Sequence, residues 1–194
     1  VDRMCAVAVN KGIEPVVVIN KCDLDMGEAL FETYRMSGVR CIQASAVTGY
    51  GKDELLEMMK GHIVALSGNS GVGKSSLLNM LAPGIRAEVG TINEKLGRGR
   101  HTTRHVELFM LSNGAVIADT PGFSSFDTEE ADIILKEDIQ YAFPEFEQYI
   151  GKCRFVGCSH IKDKGCAVRE AVETGHIARS RYESYVQMYE KAKE

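Results

Sequence analysis

The sequence predicts an α/β fold: a mainly parallel sheet around a phosphate-binding loop, its motifs in circularly permuted order, followed by a small, mostly helical metal-binding domain. Three observations predict it. Short apolar runs suited to buried strands alternate with helix-like stretches. The string Gly68-x4-Gly73-Lys74-Ser75 stands between an apolar run at 62–66 and a helix-like segment at 75–81. Four soft or borderline ligands, Cys153, Cys158, His160 and Cys166, then fall within fourteen residues near the end of the chain.

In chain order, a strand over 16–19, Val-Val-Val-Ile, delivers Asn20-Lys21-Cys22-Asp23-Leu24. A carboxylate at that strand end can accept from guanine N1–H and N2–H₂ together. Adenine has no such donor pair, so Asp23 would reject an adenine nucleotide by leaving a buried charge unpaired. Alone, Asn-Lys-x-Asp is equally the sequence of a surface turn, and its reading as base recognition rests on the phosphate loop in the same chain. A second strand-like run, 39–44, ends at Ser45-Ala46, whose backbone N–H groups are expected to face the guanine carbonyl, although Ser-Ala is a weak string. A helix over 53–60 then leads to the strand at 62–66.

The loop Gly68-Asn69-Ser70-Gly71-Val72-Gly73-Lys74-Ser75-Ser76 lets successive backbone N–H groups converge on a β-phosphate at a helix N-terminus. Lys74 adds a mobile positive charge, and the Ser75 hydroxyl is expected to complete a Mg²⁺ shell. Residues 94–105 are rich in glycine and cations, with Lys95, Arg98, Arg100 and Arg104 against Glu94, and read as a mobile loop whose Thr102 and Thr103 close over Mg²⁺ and the γ-phosphate. Its charge fits a nucleotide-dependent RNA contact and equally a solvated, inert run. A further strand, 115–118, ends at Asp119-Thr120-Pro121-Gly122. There Asp119 would hold Mg²⁺ through water and the Gly122 N–H would sense the γ-phosphate, though the string is also a good turn sequence.

All five signatures of a P-loop GTPase domain are thus present in the order base recognition, Ser-Ala, phosphate loop, threonine loop, Asp-Thr-Pro-Gly (G4-G5-G1-G2-G3). That order is a circular permutation. The residue after Gly122, where many GTPases carry a water-orienting glutamine, is Phe123, whose side chain cannot polarise water. The orienting group must come from elsewhere, and His101 beside the Mg²⁺ threonines is the best local candidate, set against its being an exposed loop residue. Cys153, Cys158, His160 and Cys166 form a Cys₃His set with no open position for water, which suits one structural Zn²⁺ per chain; scattered free thiols are the other reading.

Together these features resemble one family, the circularly permuted GTPases of small ribosomal subunit biogenesis (RsgA/YjeQ-like). The resemblance is carried by residues 12–24, residues 68–78, Gly99-Arg100-His101-Thr102-Thr103, Asp119-Thr120-Pro121-Gly122-Phe123 and the metal cluster. It implies hydrolysis of GTP to GDP and phosphate, stimulated by the small ribosomal subunit, late in that subunit's maturation. It also implies His101 as the catalytic histidine, Thr103 as the Mg²⁺-sensing threonine, and the Cys₃His set as zinc ligands. Domains are expected at 1–126, the permuted GTPase, and 127–194, the zinc-binding domain. Members of that family carry an N-terminal OB-fold barrel and a strand before the first helix, neither visible here, so a chain starting Val1-Asp2-Arg3 reads as a fragment.

At 194 residues and 44% apolar, the chain can bury one α/β core plus a small appended domain. No apolar run approaches the roughly 20 residues needed to span a membrane, and the cysteines suit a reducing compartment, so a cytoplasmic, monomeric protein with no membrane partner is expected. Net charge is −4, but residues 150–194 hold nine Lys or Arg against six Asp or Glu, giving +3 and leaving −7 for the rest. That basic third, with Lys152, Arg154, Lys162, Lys164, Arg169, Arg179 and Arg181, suits rRNA phosphates as partner, and equally solvated helix faces. The final helix, with Ala178, Tyr182, Tyr185, Val186 and Tyr189 at helical spacing, reads as a packing stripe. A GTPase is thus expected; the alternative is a nucleotide-gated rRNA-binding module with negligible intrinsic hydrolysis.

Overall fold

The computed structural model describes residues 1–83, 107–119 and 134–192, with the side chains of Glu107 and Asp119 left aside. His101, Thr102, Thr103, Gly122 and Phe123 lie outside the described residues. The chain divides into two compact units: one comprises Ile19–Met26 and Ile42–Asp127, the other Val1–Val18, Gly27–Cys41 and Thr128–Glu194. Strands β1 (Val16–Ile19) and β2 (Arg40–Gln43) pair as a two-stranded sheet.

Within the first unit, β3 (Ile63–Ala65), β4 (Glu107–Met110) and β5 (Val116–Asp119) form a sheet in the order β3-β5-β4. The β3 and β5 strands run parallel, with Ile63, Val64 and Ala65 opposite Val116, Ile117 and Ala118. Strand β4 is absent from the sequence-based expectation, and it pairs antiparallel to β5, with Leu108 opposite Ala118 and Met110 opposite Val116. The Asn113-Gly114 turn makes that hairpin: Asn113 Oδ1 accepts from the Ala115 N–H at 3.0 Å, and Gly114 takes φ +84°. Helices α3 (Lys52–Met59) and α4 (Lys74–Leu81) follow from apolar spacing, burying Leu55 and Met59, and Leu77, Leu78 and Leu81, respectively. Ahead of α3, Gly51 sits at φ +75°, where an added Cβ would strike the Gln43 carbonyl oxygen.

The second unit gathers helices α1 (Asp2–Asn10), α2 (Glu28–Ser37), α5 (Ala167–Glu173) and α6 (Arg179–Lys191) with single 3₁₀ turns at Ile139–Ala142 and Pro144–Phe146. Its core joins Ala6 and Val7 of α1 to Ile139, Phe143, Phe146, Val168, Ile177 and Tyr185. Tyr185, at the centre of the α6 stripe, meets Phe146 with ring centroids 4.8 Å apart and Phe143 edge-on at 5.5 Å. Tyr182, Val186 and Tyr189 pack beside it, so the stripe is packing.

Arg181 is not part of a basic surface; it is 1% exposed. Its guanidinium grips Glu145 through Nε to Oε1 at 2.7 Å and Nη2 to Oε2 at 3.2 Å, while Nη1 reaches Asp2 Oδ1 at 2.8 Å. Asp2 also accepts from Tyr34 at 2.8 Å and Ser184 at 2.6 Å, so one fork ties α1, α2, α6 and the 144–146 turn together. Burial alone would lower the Arg181 pKa, but its bonds to Glu145 and Asp2 hold it above the usual arginine value. Burial alone would likewise raise the Asp2 carboxyl, and the bonds from Ser184, Arg181 and Tyr34 reverse this and keep it below its usual range. A carboxyl depressed in the folded state contributes stability above its unfolded pKa and loses it on acidification, so this unit weakens as pH falls below the ordinary carboxylate range. Among the described residues no helix is long and apolar enough to cross a membrane.

Replacing Arg181 alone, as Arg181→Met, strands the buried Glu145 carboxylate and is expected to cost about 3–5 kcal/mol. A denaturant midpoint lowered at unchanged slope reads that loss, and the Arg181→Met/Glu145→Met double variant recovers much of it.

Candidate nucleotide and metal sites

Three segments far apart in sequence meet at the Asn20 side chain. Its Nδ2 donates to the Val72 carbonyl of the phosphate loop at 3.1 Å, and its Oδ1 accepts from the Ala46 N–H at 3.2 Å. Lys21, in the left-handed region at φ +68°, sends Nζ to the Gly71 carbonyl at 3.0 Å. The expected base-recognition string is therefore clasped to the loop expected to hold phosphates. Gly73, which opens α4 at φ +94°, is forced by that clasp, because an added Cβ would collide with Asn20 Nδ2.

Asp23 is exposed, and its Oδ1 accepts from the Ser45 hydroxyl at 2.5 Å. Ser45 is fully buried and is itself fixed, with its N–H donating to the Tyr50 carbonyl and its hydroxyl accepting from Thr48 N. Ser45 thus aims the Asp23 carboxylate, a role its place in a weak Ser-Ala string did not announce. Leu24, beside Asp23, is 80% exposed, as an apolar rim for a flat ring would be. Lys74 folds over its own loop, with Nζ donating to Gly68 O at 2.5 Å and Asn69 O at 2.8 Å. Ser75 and Ser76 follow it in the first turn of α4, both exposed, as Asn69 and Ser70 are. Asp119 ends β5 one residue beyond Ala118, which pairs with Ala65, so it emerges at the same strand edge from which the phosphate loop departs.

The metal candidates converge as the sequence requires. The ligand atoms of Cys153, Cys158, His160 and Cys166 lie within 4.8 Å of one another. His160 Nδ1 stands 3.5 Å from Cys153 Sγ and 3.4 Å from Cys166 Sγ, and those two sulfurs are 3.9 Å apart. A zinc tetrahedron with bonds near 2.3 Å to sulfur and 2.0 Å to nitrogen has edges of about 3.5–3.8 Å, so these residues fit that ion. Backbone N–H groups point at all three sulfurs: His160 N at Cys158 and Ala167 N at Cys153, each at 3.4 Å, and Arg169 N at Cys166 at 3.5 Å. Burial pushes the Cys158 and Cys166 thiols up and the His160 imidazolium down. A metal would thus find His160 neutral but must displace protons from the thiols, which ties its affinity to pH.

Residues invisible to ligand counting shape this site. His160 is 2% exposed and sits at φ +59°, a costly backbone for a side chain of its size. Tyr182 and Tyr185 of α6 hold that turn by donating to the carbonyls of His160 and Ser159, both at 2.8 Å. Asp163 Oδ2 accepts from Ser159 N at 3.1 Å and Ser159 Oγ at 3.0 Å, and lies 3.4 Å from Cys158 Sγ. Because Nδ1 faces the sulfurs, Nε2 carries the ring proton and donates to Gln140 Oε1 at 3.0 Å. Gln140 Nε2 in turn donates to the Glu137 carbonyl at 3.1 Å, which fixes the amide's orientation. No spacing rule reaches Gln140, twenty residues before His160.

Gln140→Ala frees the His160 ring to rotate and is expected to weaken zinc binding about 10- to 100-fold. Competition against a chromophoric chelator reads that change directly.

A sequence profile of the RsgA GTPase family matches residues 1–129. Among curated proteins, "Small ribosomal subunit biogenesis GTPase RsgA" of Geobacillus sp. (strain WCH70) is 43% identical over 199 residues, covering all of this chain and 67% of the relative. The protein of the same name from Moorella thermoacetica is 46% identical over 187 residues, covering 95% and 63%. The crystal structure of YjeQ from Thermotoga maritima superposes with TM-score 0.75 at 37% identity over 98% of this chain and 64% of that one. YloQ, described as a circularly permuted GTPase, gives TM-score 0.74 at 34% identity, covering 97% and 61%. The chain spans about two-thirds of the length of the relatives it matches. With its motif order, its clasped loops and its Cys₃His cluster all falling within the stretch these relatives match, the chain belongs to the RsgA GTPase family.

Proposed function

We propose that this chain binds GTP through the Asn20 clasp, hydrolyses it to GDP and phosphate, and acts with the small ribosomal subunit during its late maturation in the cytoplasm. The observation that carries the nucleotide reading is the Asn20 amide joining Val72 O to Ala46 N, which fixes a base-reading carboxylate at one distance from a phosphate loop. The name shared by the curated relatives supports the ribosomal setting.

In this reading Asp23, aimed by Ser45, accepts from guanine N1–H and N2–H₂, and Leu24 packs against the ring. Ala46 N–H, which donates to Asn20 Oδ1 at 3.2 Å, is shared with the guanine carbonyl in a three-centre bond. Backbone N–H groups of residues 69–76 surround the phosphates, and Lys74 leaves the Gly68 and Asn69 carbonyls for the phosphate oxygens, exchanging neutral acceptors for charged ones. Ser75, Thr103 and Asp119 are the groups that would hold Mg²⁺, which when bound neutralises charge developing on the transferred phosphoryl. Gly122 reports on the γ-phosphate. His101 orients the attacking water, a task the Phe123 side chain cannot perform. Cys153, Cys158, His160 and Cys166 hold one structural Zn²⁺, and the protein works as a monomer against ribosomal RNA through its basic final third.

The test is GTP turnover by the chain, alone and with purified small ribosomal subunits, at low and high salt. Stimulated turnover that fades with salt is expected; GTP binding with no stimulated turnover would overturn the hydrolase reading and leave a nucleotide-gated binding module.

A further inference from the structure

From the sequence between the metal ligands, and from what the fold does with it, we infer that the loop between Cys153 and Cys158 is a docking surface for unpaired RNA, with Phe155 as the base-stacking platform. The inference rests on the ribosomal-RNA reading above and names the surface and the chemistry it would use.

Phe155 is 51% exposed and Val156 is fully exposed, two consecutive apolar side chains on a loop whose neighbours are tethered toward the metal site. Singly exposed apolar residues need no explanation, but a pair held out on a short loop does. The Arg154 guanidinium lies over the Phe155 ring, 5.5 Å from its centroid. The Arg154 N–H donates to the Gly165 carbonyl at 3.0 Å, which binds this loop to the one that precedes Cys166. That bond brings exposed Lys164, the residue before Gly165, beside the loop that carries exposed Lys152 and Arg154; Lys162, two residues earlier in the chain, is exposed as well. The single acid among residues 151–165 is Asp163, and its Oδ2 is turned onto Ser159.

One cation over an exposed aromatic, with three more exposed lysines in the same fifteen residues 151–165, suits a polyanion that also offers flat apolar faces. Single-stranded RNA has both, with phosphates for the lysines and unstacked bases for the Phe155 ring and the Arg154 plane. A duplex keeps its bases stacked on one another and would use only the cations. An acidic protein surface would use the cations and Val156 but would have no need of a planar platform.

The experiment is fluorescence anisotropy of the zinc-loaded 194-residue chain with a labelled, short single-stranded RNA of mixed sequence, and with the same strand in duplex form, over a salt series. Phe155→Ala is expected to weaken single-strand binding roughly 10-fold or more and to change duplex binding little. Lys162→Gln/Lys164→Gln is expected to flatten the single-strand salt slope by about 1.4, or about 0.7 for each phosphate no longer neutralised. Zinc content and unfolding midpoint are measured for each variant, so a loss of binding counts only in protein that holds its metal. Wild-type chain that binds RNA while both variants bind it equally well would overturn this surface and leave the RNA reading standing. Failure of the wild-type chain to bind RNA would overturn both. Normal RNA binding by Phe155→Ala, together with weakened binding to intact small subunits, would overturn RNA as the occupant and assign the loop to a protein.

Discussion

The amide of Asn20 is the constraint on which the nucleotide site depends. A permuted chain meets its base-recognition strand before its phosphate loop, so nothing in chain order sets the distance between them. One planar group supplies it, donating to Val72 O and accepting from Ala46 N, with Lys21 adding a second tie at Gly71 O. An amide can do both at once because it carries donor and acceptor on one rigid plane; a carboxylate could only accept and an ammonium only donate. Gly73 is the corresponding concession in the loop, since any side chain there would occupy the space of the amide.

The second unit solves a related problem with polar groups in an apolar setting. Arg181 is buried, yet each of its three nitrogens meets a carboxylate oxygen, and the histidine of the metal cluster meets Gln140 on one edge and sulfurs on the other. Among the described residues no buried side-chain nitrogen or oxygen lacks a partner. Full satisfaction of this kind fixes a unique arrangement, because partial disengagement leaves a charge or dipole without water or protein around it. Tyr185 belongs to both parts of the unit, its ring in the Phe143–Phe146 cluster and its hydroxyl on the Ser159 carbonyl beside the metal turn.

Much of this was legible in the sequence. Strands at 16–19 and 62–66, helices after Gly51 and Gly73, and the convergence of Cys153, Cys158, His160 and Cys166 follow from local periodicity, glycine placement and ligand chemistry, which act over a few residues. What escaped acts over long separations. Strand β4 was hidden behind a charged loop, although Asn113-Gly114 between two apolar runs is a hairpin signal that could have located it. Arg181 counted as surface charge because composition cannot show that a buried Glu145 and a half-buried Asp2 lie within its reach. Gln140 and Ser45 act through another residue, one by orienting a ring and the other by aiming a carboxylate, and single-residue chemistry carries no sign of such a partner. That α1 and α2 share a compact unit with the third of the chain that holds the Cys₃His cluster is likewise absent from any motif string.

In the proposed function Asp23, held by Ser45 and positioned by the Asn20 clasp, reads the guanine edge. Asp23→Asn keeps one acceptor oxygen for N1–H but turns the other into a donor, which mismatches the guanine N2–H₂ group and matches the carbonyl that xanthine carries in place of that exocyclic amine. The decisive measurement is binding of GTP and of xanthosine triphosphate to the wild-type and Asp23→Asn chains. Asp23→Asn is expected to lose roughly 100-fold or more in GTP affinity, about 3 kcal/mol for a buried donor left facing a donor, and to gain affinity for xanthosine triphosphate. Unchanged GTP affinity in the variant would rule out Asp23 as the base-reading group.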